Sequence, residues 1–275
     1  LGYATQNRIA GALTGAVATA ILQSSSAVTA LAIALTNSKL LNLRSVLPVL
    51  IGANVGTAST AFLVSWKVQG LGAYFILLGS LLSLLPIKGR VLGKSIFYFG
   101  FILFALDQIT NALQPFVNQP LVSHWLSRAD QPLIGISAGL VLTALLQSSS
   151  VLTGVTVILA GQGLLNLPGA VAVVLGANIG TTTTSLIASL GMNRIAKTAA
   201  VANLIFNFVG VVLAYFFLDL LAGFASTLGH GVIGLSVAYA HLVFNLGVAV
   251  LFLIFLSPTH RTLARWAEMG GETSP

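Results

Sequence analysis

The chain contains one long internal duplication. When the sequence is shifted by 124 residues, residues 23–60 align with residues 147–184 without a gap, and 17 of these 38 positions are identical. The identical positions include two polar motifs, QSSS at 23–26 and 147–150 and GANxGT at 52–57 and 176–181. Apolar composition alone would align leucine with leucine but would not bring both motifs into one register. The sequence therefore predicts two homologous halves.

Each half contains the same order of segments. A stretch interrupted by QSSS comes first and a stretch interrupted by GANxGT second; two cleaner apolar stretches follow, close to the ~20 residues that a spanning helix needs. The first half, 1–114, has its predicted segments at 9–37, 44–66, 69–86 and 95–114. The second half, 133–257, has them at 133–160, 168–190, 195–219 and 235–257. Residues 115–132 are the predicted linker, and residues 258–275 are a predicted cytoplasmic tail.

The scarcity of charge places these segments in a membrane. Only 6% of the residues are charged, whereas a soluble domain has about one quarter. The 12 lysines and arginines are scattered between apolar segments, which suits the cytoplasmic surface of a membrane protein better than a nucleic-acid-binding surface. Because cysteine is absent and the histidines are dispersed, no disulfide, thiol catalyst or transition-metal site is expected. The first residues lack a basic region and a cleavage site, so we expect no signal peptide.

The stretch 9–37 allows two topologies. It could cross the membrane once, or it could enter and return as a re-entrant helical hairpin with QSSS at its tip. A single crossing gives parallel halves and divides the lysines and arginines 5 to 7 between the two membrane faces, whereas a hairpin gives inverted halves and divides them 10 to 2. Because cytoplasmic loops collect these residues, we predict hairpins at 9–37 and 133–160, both termini in the cytoplasm and an extracellular linker.

Polar tips near the middle of a membrane are suited to ion binding. The second arm of each hairpin begins with free N–H groups and the positive end of a helix dipole, which attract an anion. Serine hydroxyls and the glutamine amide add uncharged donors and acceptors. Glycine and asparagine in GANxGT predict a broken helix in each half, at 44–66 and 168–190, whose released carbonyls would suit Na⁺. Inverted repeats with matched breaks are typical of secondary transporters.

The motifs QSSSAVT (23–29), GANVGTAST (52–60), QSSSVLT (147–153) and GANIGTTTTS (176–185) resemble those of the sodium–phosphate cotransporter family, which includes type II transporters of animals and bacterial relatives. The resemblance covers most of both halves. It implies an all-α integral membrane protein with two inverted-topology repeats, each with a re-entrant helical hairpin, a broken helix and two further spanning helices. It also implies import of inorganic phosphate by alternating access, with Na⁺ as the coupling ion and no other cofactor.

The resemblance also assigns binding residues. The phosphate site is expected to comprise Gln23, Ser24, Ser25, Ser26, Gln147, Ser148 and Ser149. The sodium ligands are expected to be Ser150, Asn178, Thr181, Thr182, Thr184, Asn54 and Thr57. Animal members have a denser serine and threonine run after the first QSSS, where this chain reads AVT, and a long extracellular loop that this chain lacks. We therefore expect a small bacterial version, multi-pass in the inner (plasma) membrane.

The residues alone leave other functions open. The same architecture could carry sulfate or a carboxylate, or the chain could be a membrane protein that transports nothing. No nucleophile motif frames the tip serines, so an enzyme is not expected. The expected partners are phosphate, Na⁺ and the lipid bilayer, and a homo-oligomer is compatible with this interpretation. His241 and Asn245 are interpreted as satisfied packing residues, and Asp107 and Asp219 as hydrated acids near helix ends.

Overall fold

The computed structural model describes residues 7–65, 70–117, 119 and 128–268. These residues form twelve α-helices and no strand. In chain order the helices are α1 Arg8–Leu22, α2 Ser25–Asn37, α3 Leu43–Ser65, α4 Gly72–Ser83, α5 Ile87–Val117, α6 Pro132–Leu146, α7 Ser149–Gly161, α8 Leu167–Ser189, α9 Arg194–Phe216, α10 Leu218–Leu228, α11 Ile233–Ile254 and α12 Leu256–Glu268. Within this part of the chain, α3, α5, α8, α9 and α11 are long and apolar enough to cross a membrane.

Asparagine side chains begin several of these helices. Asn7 accepts a backbone N–H at the start of α1, and Asn193 accepts one at the start of α9. Asn42 and Asn166, which are paired in the duplication, do the same for α3 and α8. Such a cap satisfies an N–H group that has no partner within the helix. The LLNL sequence that occurs in both halves therefore marks the start of the long central helix.

Each QSSS stretch separates two short helices, as the sequence predicts. Residues 9–37 contain α1 and α2, and residues 133–160 contain most of α6 and α7. Gln23 and Gln147 have φ angles of 54° and 55°, so the backbone is left-handed there and each helix ends. The four helices have 13 or 15 residues, fewer than the ~20 that a spanning helix needs.

The predicted helix breaks at GANxGT are wrong. The segments predicted as broken, 44–66 and 168–190, are the continuous helices α3 and α8, each of 23 residues. The glycines of the motif allow a neighbouring helix to approach instead. A Cβ atom at Gly52 would overlap the backbone carbonyl oxygen of Ala12 in α1, and one at Gly176 would overlap that of Ile136 in α6. The glycines are therefore contact positions between helices.

The remaining predicted segments correspond to helices with shifted ends. The stretch 69–86 contains only α4, whose 12 residues are too few to span a membrane, and residues 66–69 lie outside the described part. The stretch 95–114 lies within the longer α5. The stretches 195–219 and 235–257 match α9 and α11 to within three residues at each end.

The structure describes only the ends of the predicted linker and most of the predicted tail. α5 extends to Val117 and α6 begins at Pro132, so both ends of the linker are helical, while most of 118–127 lies outside the described residues. The tail expected at 258–275 is largely α12, which packs against α9 and α11. Residues 269–275 of that tail lie outside the described part.

Helices α3 and α8 form the centre of the molecule. α1 packs along α3, and α6 packs along α8. α9 packs chiefly against α8 and also contacts α2 and α3, whereas α11 packs chiefly against α3 and also contacts α7 and α8. The contacts of α11 with α3, α7 and α8 thus correspond to those of α9 with α8, α2 and α3. The two halves therefore have the same pattern of helix contacts when α11 is counted with α1–α3 and α9 with α6–α8. In the described residues α4 and α5 pack mainly against each other.

Candidate functional site

Gln23 holds the first QSSS tip against α3. Its Nε2 donates a hydrogen bond to Ser59 Oγ at 3.1 Å, and its Oε1 accepts one from Thr60 Oγ1 at 2.9 Å. Ser24 Oγ accepts the backbone N–H of Ala27 at 3.2 Å and so begins α2. The turn is therefore held by side chains on both sides.

The second tip has the same bonds at the equivalent positions. Gln147 Nε2 donates to Thr183 Oγ1 at 3.3 Å, and Gln147 Oε1 accepts from Thr184 Oγ1 at 2.6 Å. Ser148 Oγ accepts the backbone N–H of Val151 at 3.3 Å at the start of α7. Each of these residues lies 124 positions after its counterpart. The duplication seen in the sequence therefore extends to the contacts of each tip.

The two tips lie against each other. Ser150 Oγ is 3.4 Å from the backbone carbonyl oxygen of Gln23, to which it donates, and 3.5 Å from Thr60 Oγ1. These contacts join residues that are 127 and 90 positions apart in the chain. Parts of both halves thus contribute to one polar junction.

The groups at this junction are uncharged. Ser25 and Ser149 begin α2 and α7 and are buried, whereas Ser24, Ser26, Ser148 and Ser150 are half-buried and Gln147 is exposed. The first N–H groups of a helix have no partner within that helix, and two helices begin here. N–H and hydroxyl groups can both donate to an oxyanion. The junction is therefore an uncharged site whose hydrogen-bond donors could bind an anion.

The predicted sodium ligands fall into two groups. Ser150 and Thr184 take part in the contacts of the tips described above. Asn54 and Thr57 on α3, and Asn178, Thr181 and Thr182 on α8, are buried within their helices. The hydroxyls of Thr57, Thr181 and Thr182 donate to carbonyls of their own helix at 3.2, 2.9 and 2.7 Å. The hydrogen bonds of the tips do not include this second group.

The interpretation of His241 as a satisfied packing residue needs correction. Its Nε2 lies 3.3 Å from Asn178 Oδ1. Its Nδ1 and Asn178 Nδ2 are buried, and neither has a hydrogen-bond partner among the described residues. Asn245 Nδ2 does donate to the backbone oxygen of His241 at 2.9 Å. A buried polar atom without a partner is unfavourable, so the His241–Asn178 pair is a candidate binding position.

Of the two acidic residues, Asp107 differs from its interpretation and Asp219 agrees with it. Asp107 Oδ2 accepts the backbone N–H of Gly70 at 2.9 Å, and α5 continues for ten residues beyond it, so Asp107 is not at a helix end. Asp219 lies in the first turn of α10, as expected for an acid near a helix end.

Sequence reasoning missed several polar residues near the site. Ser59, Thr60 and Thr183 bind the two glutamines, and the signal for them was the serine and threonine run that follows GANxGT in both halves. A second similarity, which indicates that α9 and α11 are equivalent, was also missed: ANLIFN (202–207) and AHLVFN (240–245) share four of six residues. This short similarity belongs to the two helices that have equivalent neighbours in the fold.

Comparison with known proteins places the chain in a family. The model of the family described as "Na+/Pi-cotransporter" matches residues 1–111 and again residues 107–242. The "Uncharacterized protein YqeW" of Bacillus subtilis is 32% identical over 229 residues, which cover 82% of this chain and 74% of that protein. No solved structure resembles the chain closely enough to count as a match.

Two further relatives have names that state a function. The "Putative inorganic phosphate export protein YjbB" of Escherichia coli is 29% identical over 74% of this chain, and the match spans 38% of YjbB. The rat "Sodium-dependent phosphate transport protein 2C" is 40% identical over 39% of this chain and 18% of its own length. The chain thus spans well under two thirds of both. The family model covers both motif-bearing halves, and we conclude that the chain is a multi-pass membrane protein that belongs to the Na+/Pi-cotransporter family.

Proposed function

We propose that this protein is a sodium-coupled secondary transporter that moves inorganic phosphate by alternating access. The substrate binds where the two QSSS tips meet. The observation that carries this proposal is the contact of Ser150 with Gln23 and Thr60, which joins polar groups from both halves. The family name and the name of the rat relative support phosphate and sodium as the transported ions.

The path of the chain supports a re-entrant hairpin in the first half. Gly11 in the first turn of α1 lies against Pro48 near the start of α3, and Gln23 at the far end of α1 bonds to Thr60. α1 therefore runs beside α3 in the same direction. α2 ends at Asn37, and only five residues separate it from the start of α3 at Leu43. These positions support a chain that returns to the side of the membrane from which it entered.

Two contacts support inverted halves. Asn193, just after α8, donates from its backbone N and its Nδ2 to Asn37 at 2.7 and 2.8 Å, so the end of α8 lies near the start of α3. At the opposite side, Gly234 lies beside both Ser65 at the end of α3 and Val157 in α7. Because α7 leads back to the start of α8, α3 and α8 run in opposite directions. Such repeats are typical of carriers with a site at mid-membrane.

The neutral character of the tips supports sodium coupling. A phosphate ion brings at least one negative charge into a site whose own groups are uncharged, and an unbalanced buried charge is highly unfavourable. Na⁺ held by the amide and hydroxyl oxygens of Asn178, Thr181 and Thr182, together with Ser150 and Thr184, would balance that charge. Asn54 and Thr57 are the corresponding candidates in the first half. Coupling follows when the fully loaded site changes its access more readily than the half-loaded one.

The direction of transport has two candidates. An inward sodium gradient would drive phosphate inward, which is the direction we propose. The name of YjbB states phosphate export, and this favours outward movement as the second candidate. A coupled carrier can move its substrate either way, because the ion gradients set the net direction. The same site could also accept another oxyanion such as sulfate or a carboxylate.

Radiolabelled phosphate flux in proteoliposomes tests the proposal. We expect uptake that requires a sodium gradient, reverses when the gradient is reversed and resists a hundredfold excess of sulfate. Phosphate flux that is unchanged when choline replaces sodium would reject the coupling. Complete inhibition by sulfate, together with sulfate flux of equal rate, would replace phosphate by a broader class of oxyanions.

A further inference from the structure

A cavity of about 300 Å³ lies where α1 and α3 begin and α11 is followed by α12. Its lining comprises Arg8 of α1, Arg44 of α3, and Leu256 and Ser257 of α12. Arg8 Nη1 donates a hydrogen bond to the backbone oxygen of Leu253 at 3.0 Å, which fixes the guanidinium of Arg8 at the end of α11. Two cationic side chains from different helices therefore line one cavity.

The positive charge at this cavity has no carboxylate beside it in the described part of the chain. The acidic side chains that the structure describes are Asp107, Asp130 and Asp219, and none of them lines the cavity. Burial lowers the pKa of His260 on α12, and the positive charge of Arg44 lowers it further, so the charge of Arg44 reaches its neighbours. Like charges that lie close together repel each other, and an anion bound between them would remove this repulsion.

The donors at the cavity suit an anion with several oxygen atoms. Each arginine presents a planar fork of N–H donors that matches the oxygens of a phosphate group. The hydrogen bond of Arg8 to Leu253 uses only one of its five N–H groups. Ser257 is exposed and adds a hydroxyl that can donate as well. A phosphate group can accept from both arginines and from the serine at the same time, because it has more than two acceptor oxygens.

Exposed apolar residues adjoin the cavity in the sequence. Ile9 follows Arg8, while Ile254 and Phe255 precede Leu256, and all three are exposed. α12 buries Leu256 and turns charged residues outward, as an amphipathic helix at a membrane surface does. Basic pockets between membrane helices at this level bind the headgroups of anionic lipids. The surroundings of the cavity therefore suit a phosphate group that carries acyl chains as well as a free one.

The cavity is separate from the tips. Arg8 is the first residue of α1, and Gln23 follows its last residue. The 15 residues of α1 extend over about 22 Å at 1.5 Å per residue. A ligand held by Arg8 therefore cannot be the ion that binds where the two QSSS tips meet. Binding at the cavity does not depend on the proposed transport function.

We propose that this cavity is a second binding site, which holds a phosphate group through Arg8, Arg44 and Ser257. The group is either the headgroup phosphate of an anionic lipid or free inorganic phosphate, since both present the same oxygens to the same donors. The bound group connects the starts of α1 and α3 to the start of α12. A ligand that binds only the folded arrangement of these three helices also stabilises it.

Modification of arginine by phenylglyoxal tests the site in the purified wild type. The reaction is run at constant ionic strength in detergent alone, with phosphatidylcholine, with phosphatidylglycerol and with inorganic phosphate, and mass spectrometry measures the rate at each arginine. We expect phosphatidylglycerol or phosphate to slow the modification of Arg8 and Arg44 about fivefold or more. Arg265, which is exposed and does not line the cavity, should react at an unchanged rate.

The four conditions identify the source of the group. Protection by phosphatidylglycerol alone indicates a lipid headgroup, protection by phosphate alone indicates the free ion, and protection by both indicates that either source binds. Equal rates at Arg8 and Arg44 in all four conditions would overturn the proposal. Equal slowing at Arg8, Arg44 and Arg265 would also overturn it, because it would show a general effect of charge rather than a site.

Single variants then test whether the two arginines bind one ligand. In Arg8→Gln, the concentration of the protecting ligand that halves the modification of Arg44 should rise about tenfold, because a hydrogen bond to a charged group is lost. Arg265→Gln is the matched control, since it removes the same charge about two turns further along α12, and its concentration should rise less than twofold. Equal rises in both variants, or none in Arg8→Gln, would show that the two arginines do not share a ligand and would overturn the proposal.

Discussion

The two glutamines at the tips have an unfavourable backbone conformation, and the hydrogen bonds of their side chains offset its free-energy cost. The backbone dihedral angles of Gln23 and Gln147 lie in the left-handed helical region. For a residue with a Cβ atom this conformation costs about 1 kcal/mol. Each amide offers both a donor and an acceptor, and each uses both toward the serine or threonine residues of the adjacent long helix. Glycine at these positions would remove the backbone strain but also the side-chain bonds that attach the tip to the long helix. Glutamine therefore both forms the turn and attaches it to the long helix.

Replacement of these glutamines should release the tips. Gln23→Ala and Gln147→Ala each remove three side-chain hydrogen bonds, and two of the three attach the tip to the adjacent long helix. The two attaching bonds are worth about 1 kcal/mol apiece, and we expect phosphate uptake to fall at least tenfold. Expression should change little and the temperature of unfolding should fall by only about 4–8 °C, because the helices themselves keep their contacts. Gln131→Ala is the control, since Gln131 is exposed and makes no side-chain cap at α6. Wild-type uptake in both tip variants would show that the attachment is not needed.

The histidine on α12 should make folding sensitive to acid. Burial, and next the positive charge of Arg44, lower the pKa of His260 from its ordinary value of 6.5. As pH falls below about 6.5, the unfolded chain takes up this proton before the folded one does, so stability is lost. We expect His260→Gln to lose less thermal stability than the wild type between pH 7.5 and pH 5.5, measured by intrinsic fluorescence. An equal loss in both proteins would contradict this assignment.

Part of the site could be predicted from the sequence because its residues recur. The polar side chains of QSSS in an apolar stretch need hydrogen-bond partners, which a turn or another segment of the chain can supply. The helix ends at Gln23 and Gln147 were therefore predictable. The attachment of those glutamines to Thr60 and Thr184 was not, because it depends on how α1 and α6 lie beside the long helices. The unpaired ring nitrogen of His241 was missed for a similar reason. A histidine in an apolar stretch has the same sequence signature whether its ring is satisfied or not.

The long helices α3 and α8 depend on glycine for their packing rather than for flexibility. Gly52 and Gly56 lie against Ala12 and Ala16 of α1, and Gly15 of α1 lies against Val49. Small residues four apart let two membrane helices approach closely. The sequence could not distinguish this use of GANxGT from a helix break, because glycine weakens a helix and also permits contact. The available signal was a second pair of glycines four residues apart, Gly11 and Gly15, which recurs at Gly135 and Gly139.

Adding a methyl group at these contacts should destabilise the protein. In Gly52→Ala the new Cβ atom would overlap the carbonyl of Ala12, and overpacking of this kind costs about 1–3 kcal/mol. We expect a clear decrease in the temperature of unfolding in detergent. The control is Gly247→Ala in α11, where a Cβ atom meets nothing within 4 Å. Alanine is the better helix former there by about 1 kcal/mol, so Gly247→Ala should unfold at the same or a higher temperature.

In the molecule as a whole, each half contributes helices that pack against the long helix of the other half. α11, the last long helix of the chain, packs chiefly against α3 of the first half, while α2 and α7 each contact the long helix of the opposite half. The tips therefore touch across the boundary at which the two halves meet. A change of access that moves one half relative to the other must alter the contact between Ser150 and Thr60. That contact is the place to test whether transport requires such movement.

A disulfide across the tips should stop transport reversibly. The chain has no cysteine, and Thr60 Oγ1 and Ser150 Oγ are 3.5 Å apart, so cysteines at these positions can form a bond of about 2.05 Å after a small shift. In the double variant Thr60→Cys with Ser150→Cys, we expect oxidant to reduce phosphate uptake at least tenfold and reductant to restore it. In each single variant, the oxidant should leave the uptake measured before oxidation unchanged. A disulfide that forms fully without loss of uptake would mean that the tips stay together throughout the transport cycle.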